Sequence, residues 1–565
     1  MPRSANTMNG AEAMVRLLEG HGVTHVFGLC GDTSLPFYDA LYRLKPNIDH
    51  ILTRDERCAA YMADGYARVT GRVGVCEGPS GGGATYIAPG LVEANESSVP
   101  VLAITTDVST TAAGHYPLTE LDQAALFAPL TKWNGLIDAG AKLPAMVRTA
   151  FRAMTTGRPG SAHLAFPFDV QNARIDASDV WADPAHGVCP AARAGPDPDA
   201  VGAFVKALLL ARAPVIICGG GVIISGAWDE LAALGARLDI AIATTISGQG
   251  SIAETDDLSV GVVGSNGGIE ATRAVIEAAD LVVFIGCRAG SVTTERWRFP
   301  APGTSILHID IDPMVIGATY QTKVGIAGDA RLTLAAINRA LDENGTAKAT
   351  GGAARALKAR KAKAAHFAAL AASDETPIRP ERVVATVERL AGPDAIIVTD
   401  PGTPCPYFSA YYTVRQTGRT LISNRAHGAL GYALSAAIGA HYGRPGVKTI
   451  AVMGDGSFGF TSGELETAVR KALPITFIVL SNAAYGWIKA GQKTGFGARY
   501  FSVDFSATDH AAIAAAYGLK SWRVEDPDKL EGALKAAFAH GGPSLVDIVV
   551  QPLQDTAAPV SEWVA

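Results

Sequence analysis

Several structural and functional classes are excluded by what this 565-residue sequence lacks. Its seven cysteines include no C-x-x-C pair, which argues against a disulfide framework or a structural zinc site. No uncharged apolar run reaches membrane-spanning length, and the first residues lack the apolar stretch of a signal peptide. A net charge of −6 gives no electrostatic case for nucleic acid or an anionic membrane as a partner. We therefore expect a cytoplasmic, multidomain protein whose thiols stay reduced.

Short apolar runs alternate with helical patterns in three successive blocks of the chain. This alternation predicts an α/β fold of three consecutive domains with parallel sheets, over residues 1–172, 190–342 and 375–565. The Pro- and Asp-rich stretch 173–200 and the Ala- and Lys-rich stretch 344–378 read as linkers, the second with an exposed helix. The first and third blocks could share one architecture. In such sheets ligands bind where strands end, because right-handed crossovers bring those ends to one edge.

Residues 452–486 contain the sharpest local signal. Asp455 follows a predicted strand, and Asn482 follows the next, so both belong at the same edge of a parallel sheet. A carboxylate, an amide oxygen and a backbone carbonyl from the following turn suit Mg²⁺. Gly456 and Ser457 open a helix whose amides favour phosphate groups. The plainer alternative is a tight glycine turn followed by an Asn cap.

This strand–GDGS–helix–strand–Asn unit resembles the binding motif of thiamine-diphosphate enzymes. The resemblance implies that Asp455, Asn482 and the carbonyl of Ala484 hold Mg²⁺ against the cofactor's diphosphate. Residues 400–403, Asp-Pro-Gly-Thr, resemble a turn that contacts the diphosphate. The cofactor-binding residues implied at this end are Gly402, Thr403, Gly454, Asp455, Gly456, Ser457, Asn482 and Tyr485.

Residues 53–71 resemble the segment that carries the cofactor-activating glutamate, which implies this role for Glu56. A buried carboxylic acid bonded to the pyrimidine N1′ would favour the imino tautomer, whose nitrogen removes the C2 proton of the thiazolium. Burial should raise the pKa of that carboxyl. The alternative for Glu56 is an ordinary carboxylate at a helix start.

Residues 424–440 resemble the stretch that shapes the bent cofactor. Gly428 would offer its carbonyl to the 4′-amino group, and Leu430 would be the apolar wedge between the two rings. Core packing is the alternative for Leu430.

The resemblance covers nearly the whole chain, in the order pyrimidine-binding, central and diphosphate-binding domain, and is closest to the acetolactate synthase-like group. It implies a decarboxylase or carboligase acting on a 2-oxo acid. It also implies a homodimer or homotetramer, because Glu56 and the diphosphate residues of one active site come from different subunits.

Two positions depart from that group. Thr119 stands where acetolactate synthases carry a substrate-contacting Gln, and residues 120–123, Glu-Leu-Asp-Gln, look more like oxalyl-CoA decarboxylase. Asp32 follows a glycine as does the catalytic Asp of pyruvate decarboxylases, which implies a proton-handling role above the thiazolium. A cap for the helix beginning near Leu35 is the alternative for Asp32.

Three hypotheses for the function therefore stay open. The first is the 2-oxo-acid decarboxylase or carboligase. The second is an acyl-CoA decarboxylase or lyase, resembling oxalyl-CoA decarboxylase or 2-hydroxyacyl-CoA lyase. The third is an inactive cofactor-binding subunit. The central domain resembles one that binds FAD or ADP, with the acid-rich strand end at 308–313 suited to a ribose and Arg288 to a phosphate.

Overall fold

The computed structural model describes residues 7–343 and 347–563. They form two compact units. The first runs to Ala192 and adds Ala426–Gly446 and Thr461–Leu473; the second comprises Arg193–Arg425, Val447–Phe460 and the chain from Pro474. Within the described ranges, no helix has both the length and the apolar character that crossing a membrane requires.

The first unit contains a six-stranded parallel sheet, the N-terminal sheet. Its helices and strands up to residue 176 are β1 (Thr7–Asn9), α1 (Gly10–Gly20), β2 (His25–Gly28), α2 (Leu35–Leu44), β3 (Asp49–Leu52), α3 (Glu56–Thr70), β4 (Gly74–Gly78), α4 (Gly82–Glu96), β5 (Val101–Asp107), α5 (Gln123–Phe127), β6 (Trp133–Leu136), α6 (Leu143–Thr155), β7 (Ala162–Pro167), α7 (Phe168–Asn172) and β8 (Arg174–Asp176). The strand order is β3–β2–β4–β5–β7–β6. β5 is buried along its whole length, as expected for a central strand covered on both faces.

The central sheet lies in the second unit, and its six strands are also parallel. Its elements are α8 (Pro198–Leu210), β9 (Pro214–Cys218), α9 (Gly220–Ser225), α10 (Trp228–Leu238), β10 (Ala241–Thr244), β11 (Ser259–Val262), α11 (Glu270–Glu277), β12 (Leu281–Ile285), β13 (Ser305–Asp310), β14 (Val324–Ala327), α12 (Ala330–Glu343) and α13 (Gly352–Ala371). The strands lie in the order β11–β10–β9–β12–β13–β14. The chain adds strands on one side of β9 and then, from β12 onward, on the other side, as in dinucleotide-binding sheets.

The C-terminal sheet is the third parallel sheet. The elements of this region are α14 (Pro380–Ala391), β15 (Ile396–Thr399), α15 (Pro404–Tyr411), β16 (Leu421–Ser423), α16 (Tyr432–Gly443), β17 (Thr449–Gly454), α17 (Asp455–Thr461), α18 (Leu465–Arg470), β18 (Ile475–Ser481), α19 (Gly486–Gly495), α20 (His510–Tyr517), β19 (Lys520–Val524), α21 (Pro527–Ala539) and β20 (Ser544–Val549). Its order, β16–β15–β17–β18–β20–β19, repeats that of the N-terminal sheet. The three α/β blocks and the shared architecture of the first and third are thereby confirmed.

Helices α3 and α16 pack against each other within the first unit. A side chain at Gly65 would lie 2.2 Å from the carbonyl oxygen of Ala436, and one at Gly439 would lie 1.8 Å from that of Met62. Glycine is therefore required at both positions, because the two backbones approach too closely for a Cβ atom. This contact fixes the helix that begins at Glu56.

Both predicted linkers contain more structure than expected. Within 173–200, β8 pairs with β1 in an antiparallel ribbon. Within 344–378, α13 is the predicted helix, but it is not simply exposed. Ala356 and Ala359 are buried in the apolar core of the central sheet, since small side chains on one helix face permit close packing.

Candidate active site

Asp455 lies at the carboxyl end of β17 and opens α17. One carboxylate oxygen, Oδ2, accepts hydrogen bonds from the backbone amides of Asn482 (2.7 Å) and Ala483 (2.6 Å). The other, Oδ1, accepts one from Gly456 (2.8 Å). Burial raises the pKa of this carboxyl, whereas the three amides oppose that rise by stabilising the anion. The structure thus joins the ends of β17 and β18 through Asp455.

Asn482 follows β18 directly. Its Nδ2 lies 3.5 Å from Oγ1 of Thr403, the residue that precedes α15. Its Oδ1 is buried and, within the described residues, accepts no hydrogen bond. An acceptor left in this state is costly unless a ligand satisfies it.

Ala484 forms an isolated antiparallel bridge with Asp504. The bridge is made by two bonds, from the Tyr485 amide to the Val503 carbonyl and from the Phe505 amide to the Ala483 carbonyl. Neither bond uses the carbonyl of Ala484. The backbone at Ala483 has φ 54°, an unfavourable value for a residue with a side chain, as is found in turns that hold a ligand.

The glycines around this edge make room for neighbouring groups. A Cβ at Gly456 would lie 2.8 Å from the ring of Tyr485, which itself stands edge-on to Phe505. Gly402 has φ 95°, a left-handed conformation that glycine adopts without strain. Cβ atoms at Gly402 and Gly454 would meet no atom within 4 Å, so both backbones border open space. Ser457 lies buried in the first turn of α17.

Glu56 opens α3 after the cap residue Asp55, and it is 7% exposed. Its side chain lies against the β4–α4 loop: Cβ atoms built at Gly78 and Gly83 would lie 3.2 Å from Cγ and 3.0 Å from Oε1 of Glu56. Burial raises the pKa of the Glu56 carboxyl, and the nearby charges of Asp55 and Glu77 act in the same direction. The shift is in the direction that a carboxyl serving as a proton donor requires.

The same loop brings Asp32 and Thr119 to the edge of the N-terminal sheet. Ser80 shares hydrogen bonds with the hydroxyls of Thr33 (3.1 Å) and Thr119 (2.7 Å). Thr119 has φ 70° and lies against Gly81. The structure does not support the capping alternative for Asp32, because Ser34 occupies the cap position of α2. Among the described residues, the Asp32 carboxylate accepts a hydrogen bond from the adjacent Thr33 amide (2.9 Å).

Gly428 and Leu430 lie in the irregular segment before α16, also in the first unit. Gly428 is exposed with φ 74°, and Leu430 is only partly buried, which does not fit simple core packing. The amide of His427 donates to Glu93 (2.8 Å), whose other oxygen accepts from the buried Arg68 (3.1 Å). A buried ion pair therefore holds this segment in place.

Sequence reasoning missed two buried carboxyls beside these residues. Glu77, inside β4, is fully buried; it accepts a hydrogen bond from the Tyr38 hydroxyl and lies 3.5 Å from Nε2 of His50. A charged residue within an apolar strand was a visible signal. Glu464, after α17, gave no such signal, since one Glu in a polar helical stretch is ordinary.

These residues fit thiamine diphosphate and a divalent cation. The unpartnered Asn482 oxygen and the Asp455 carboxylate supply the hard oxygen donors that Mg²⁺ prefers. Among the described residues, no three His, Cys, Asp or Glu side chains form a metal-binding group, so this mixed donor set carries the assignment.

Comparison with known proteins agrees with the fold and the site. Models of thiamine pyrophosphate enzymes match as the N-terminal TPP binding domain over residues 8–126, the central domain over 201–337 and the C-terminal TPP binding domain over 400–548. Fold and site together define a thiamine-diphosphate (thiamine pyrophosphate, TPP) enzyme.

Relatives refine this class. The chain is 35% identical over 566 residues to a probable acetolactate synthase large subunit of Methanococcus aeolicus, covering 96% of this chain and 92% of that protein. It is 34% identical over 555 residues to the acetolactate synthase large subunit of Corynebacterium glutamicum, covering 96% and 87%. The chain belongs to the thiamine pyrophosphate enzyme family, in its acetolactate synthase-like group.

Proposed function

We propose that the chain is a Mg²⁺-dependent decarboxylase or carboligase that acts on a 2-oxo acid, as acetolactate synthase-like enzymes do. The observation that carries the proposal is the meeting of Asp455 with Asn482, whose side-chain oxygen is buried without a partner. The names of the relatives support the substrate class. Intact Glu56, Asp455 and Asn482 argue against an inactive subunit.

Asp455, Asn482 and the carbonyl of Ala484 would hold Mg²⁺. The diphosphate would lie along Gly402, Thr403, Gly454, Gly456, Ser457 and Tyr485. When bound, thiamine diphosphate would supply a nucleophilic carbon for the substrate carbonyl and an electron sink for the loss of CO₂.

Glu56 would hold a proton at its carboxyl and donate it to the pyrimidine nitrogen, which requires an acid whose pKa is raised. Gly428 would accept a hydrogen bond from the cofactor's amino group at its carbonyl, and Leu430 would keep the rings bent. At the substrate end, the exposed Asp32 would be the side chain above the thiazolium that handles protons. Thr119 offers a hydroxyl already bonded to Ser80 in place of the longer Gln of acetolactate synthases.

CO₂ release and product identity test the proposal, using purified protein with thiamine diphosphate, Mg²⁺ and a panel of 2-oxo acids. Release from pyruvate with a branched hydroxy-keto product supports carboligation, and release with an aldehyde supports simple decarboxylation. If no 2-oxo acid in the panel releases CO₂ and acyl-CoA thioesters are turned over, the 2-oxo-acid assignment is overturned. The stretch 551–563 contains no Lys or Arg that could pair with the phosphates of CoA, which disfavours the acyl-CoA alternative.

We also propose a homodimer or homotetramer with active sites between subunits. The first unit exposes large apolar side chains at Leu52, Tyr86 and Leu118, which a partner subunit would cover. Light scattering of the purified protein tests this. A cytoplasmic location is supported by the cysteines, none of which forms a disulfide in the described residues.

The central sheet is proposed as a site for FAD or ADP. Arg288 follows β12 and Asp310 ends β13, so both lie at the carboxyl edge of neighbouring strands, close to the reversal of strand order. The absorbance spectrum of the purified protein separates FAD from a colourless nucleotide or an empty domain.

A further inference from the structure

A buried carboxyl group, that of Glu464, contacts the turn that precedes Glu56. Glu464 is 1% exposed, and its Oε1 accepts hydrogen bonds from the backbone amides of Arg54 (2.7 Å) and Asp55 (3.1 Å). Its Oε2 accepts one from the Thr467 hydroxyl (2.6 Å). These two amides are the last before Glu56, in the turn between β3 and α3. The Glu464 carboxyl therefore fixes the backbone that sets the direction of the Glu56 side chain.

Two further side chains from the same stretch hold the strand that leads into this turn. Arg470, the last residue of α18, donates from Nη2 to the carbonyl oxygen of Leu52 (2.5 Å). Lys471 lies 3.5 Å from the carboxylate of Asp49 at the start of β3. Glu464, Arg470 and Lys471 together hold residues 49–55 in place. We call this set of contacts the 464–471 clasp.

Glu464 is the buried member of the clasp, so the loss of its hydrogen bonds would not be compensated by water. A carboxyl removed from water is costly unless its oxygens are satisfied, and here one oxygen is committed to two turn amides. Truncating it leaves those amides without their acceptor, so the turn can shift. A displacement of about 1 Å at a reacting group can slow a reaction about a hundredfold.

We propose that Glu464 is a positioning residue for cofactor activation, acting through Glu56 by fixing the turn at Arg54 and Asp55. The inference rests on the proposed function, since it requires Glu56 to be the activating acid.

Exchange of the cofactor's C2 proton for deuterium, followed by NMR after acid quenching, tests the inference on protein loaded with thiamine diphosphate and Mg²⁺. Glu464→Ala should slow exchange about 10- to 100-fold, with cofactor affinity within about threefold of wild type. Glu464→Gln keeps an acceptor oxygen for both amides and should stay within about threefold. Glu381→Gln, at a buried carboxyl of the second unit, is the matched control and should leave exchange unchanged.

The double variant distinguishes action through Glu56 from a general effect. In a Glu56→Gln background, Glu464→Ala should slow exchange no further, since the group that it positions is gone. If Glu464→Ala does not fold, Glu464→Asp, which is shorter by one methylene, carries the test.

Wild-type exchange in Glu464→Ala, with slow exchange in Glu56→Gln, overturns the positioning role alone. Additive losses in the double variant also overturn it. Wild-type exchange in Glu56→Gln overturns the role proposed for Glu56, and with it this inference.

Discussion

The N-terminal and C-terminal sheets share one strand order, but the acidic side chains at their carboxyl edges have different neighbours. Burial raises the pKa of both carboxyls, but Asp455 also accepts hydrogen bonds from three backbone amides, which oppose that rise by favouring its anion. Glu56 is flanked by further carboxyls, Asp55 and Glu77, which favour its protonated form. The same topology thus prepares one carboxyl to meet a cation and another to keep a proton. The difference comes from the neighbours that each edge supplies.

The largest expected effect comes from removing the acidic proton of Glu56 at the edge of the N-terminal sheet. Glu56→Gln should slow C2-proton exchange about a thousandfold, because general acid–base groups contribute about 10²–10⁴-fold. Affinity for thiamine diphosphate and Mg²⁺ should change little, since the cation is assigned to the other edge. A loss of cofactor binding with normal exchange in the bound fraction would contradict the division of roles.

The pH dependence of the free energy of unfolding tests the protonation of the buried Glu464 carboxyl. Burial raises the pKa of Glu464 from 4.5 to about 7, so between these values the native state holds a proton that the unfolded chain has released. Stability therefore falls as pH rises through this window, and Glu464→Gln removes that fall, worth about 3 kcal/mol.

Urea unfolding of wild type and Glu464→Gln, at about pH 5 and about pH 7.5, measures this effect. The variant should gain relative stability at the higher pH. Parallel curves for the two proteins would show that the carboxyl titrates normally.

Asn482→Ala probes the cation at the C-terminal edge. Removing its side-chain oxygen should weaken Mg²⁺ binding roughly 10- to 100-fold, a loss typical for groups that hold or orient a metal. Excess Mg²⁺ should restore C2-proton exchange, which it cannot do for Glu56→Gln. Asn338→Ala, on α12, is the control, and titration calorimetry supplies the affinities.

Gly456→Ala should have the smallest effect. Its Cβ would push the half-exposed Tyr485 ring aside, because the two would lie 2.8 Å apart. Affinity for thiamine diphosphate should fall about 3- to 10-fold, equivalent to roughly 1 kcal/mol. Gly459→Ala, where a Cβ meets nothing within 4 Å, is the matched control. Equal affinities in the two variants would show that the position of Tyr485 is unimportant.

The sequence was most informative where a functional side chain directly follows a predicted strand. Asp455 and Asn482 each follow a strand, so a parallel sheet necessarily brings them to one edge. β18 (Ile475–Ser481) is buried along its whole length and β20 (Ser544–Val549) along nearly all of it, and both are largely apolar runs of the kind that marks a buried parallel strand. The strand β19 (Lys520–Val524) was not predicted, since an exposed, polar edge strand lacks the apolar run that marks a buried one.

The sequence alone determined the fold class, the succession of three α/β domains and the family, because strand–helix periodicity and short motifs are local properties. It also placed Asp455 and Asn482 at strand ends and Glu56 at a helix start. Only the tertiary structure decided that Glu464 bonds the turn before Glu56, across 409 and 410 positions of the chain. No periodicity encodes such a contact, because the partners are two backbone amides, which every residue except proline has.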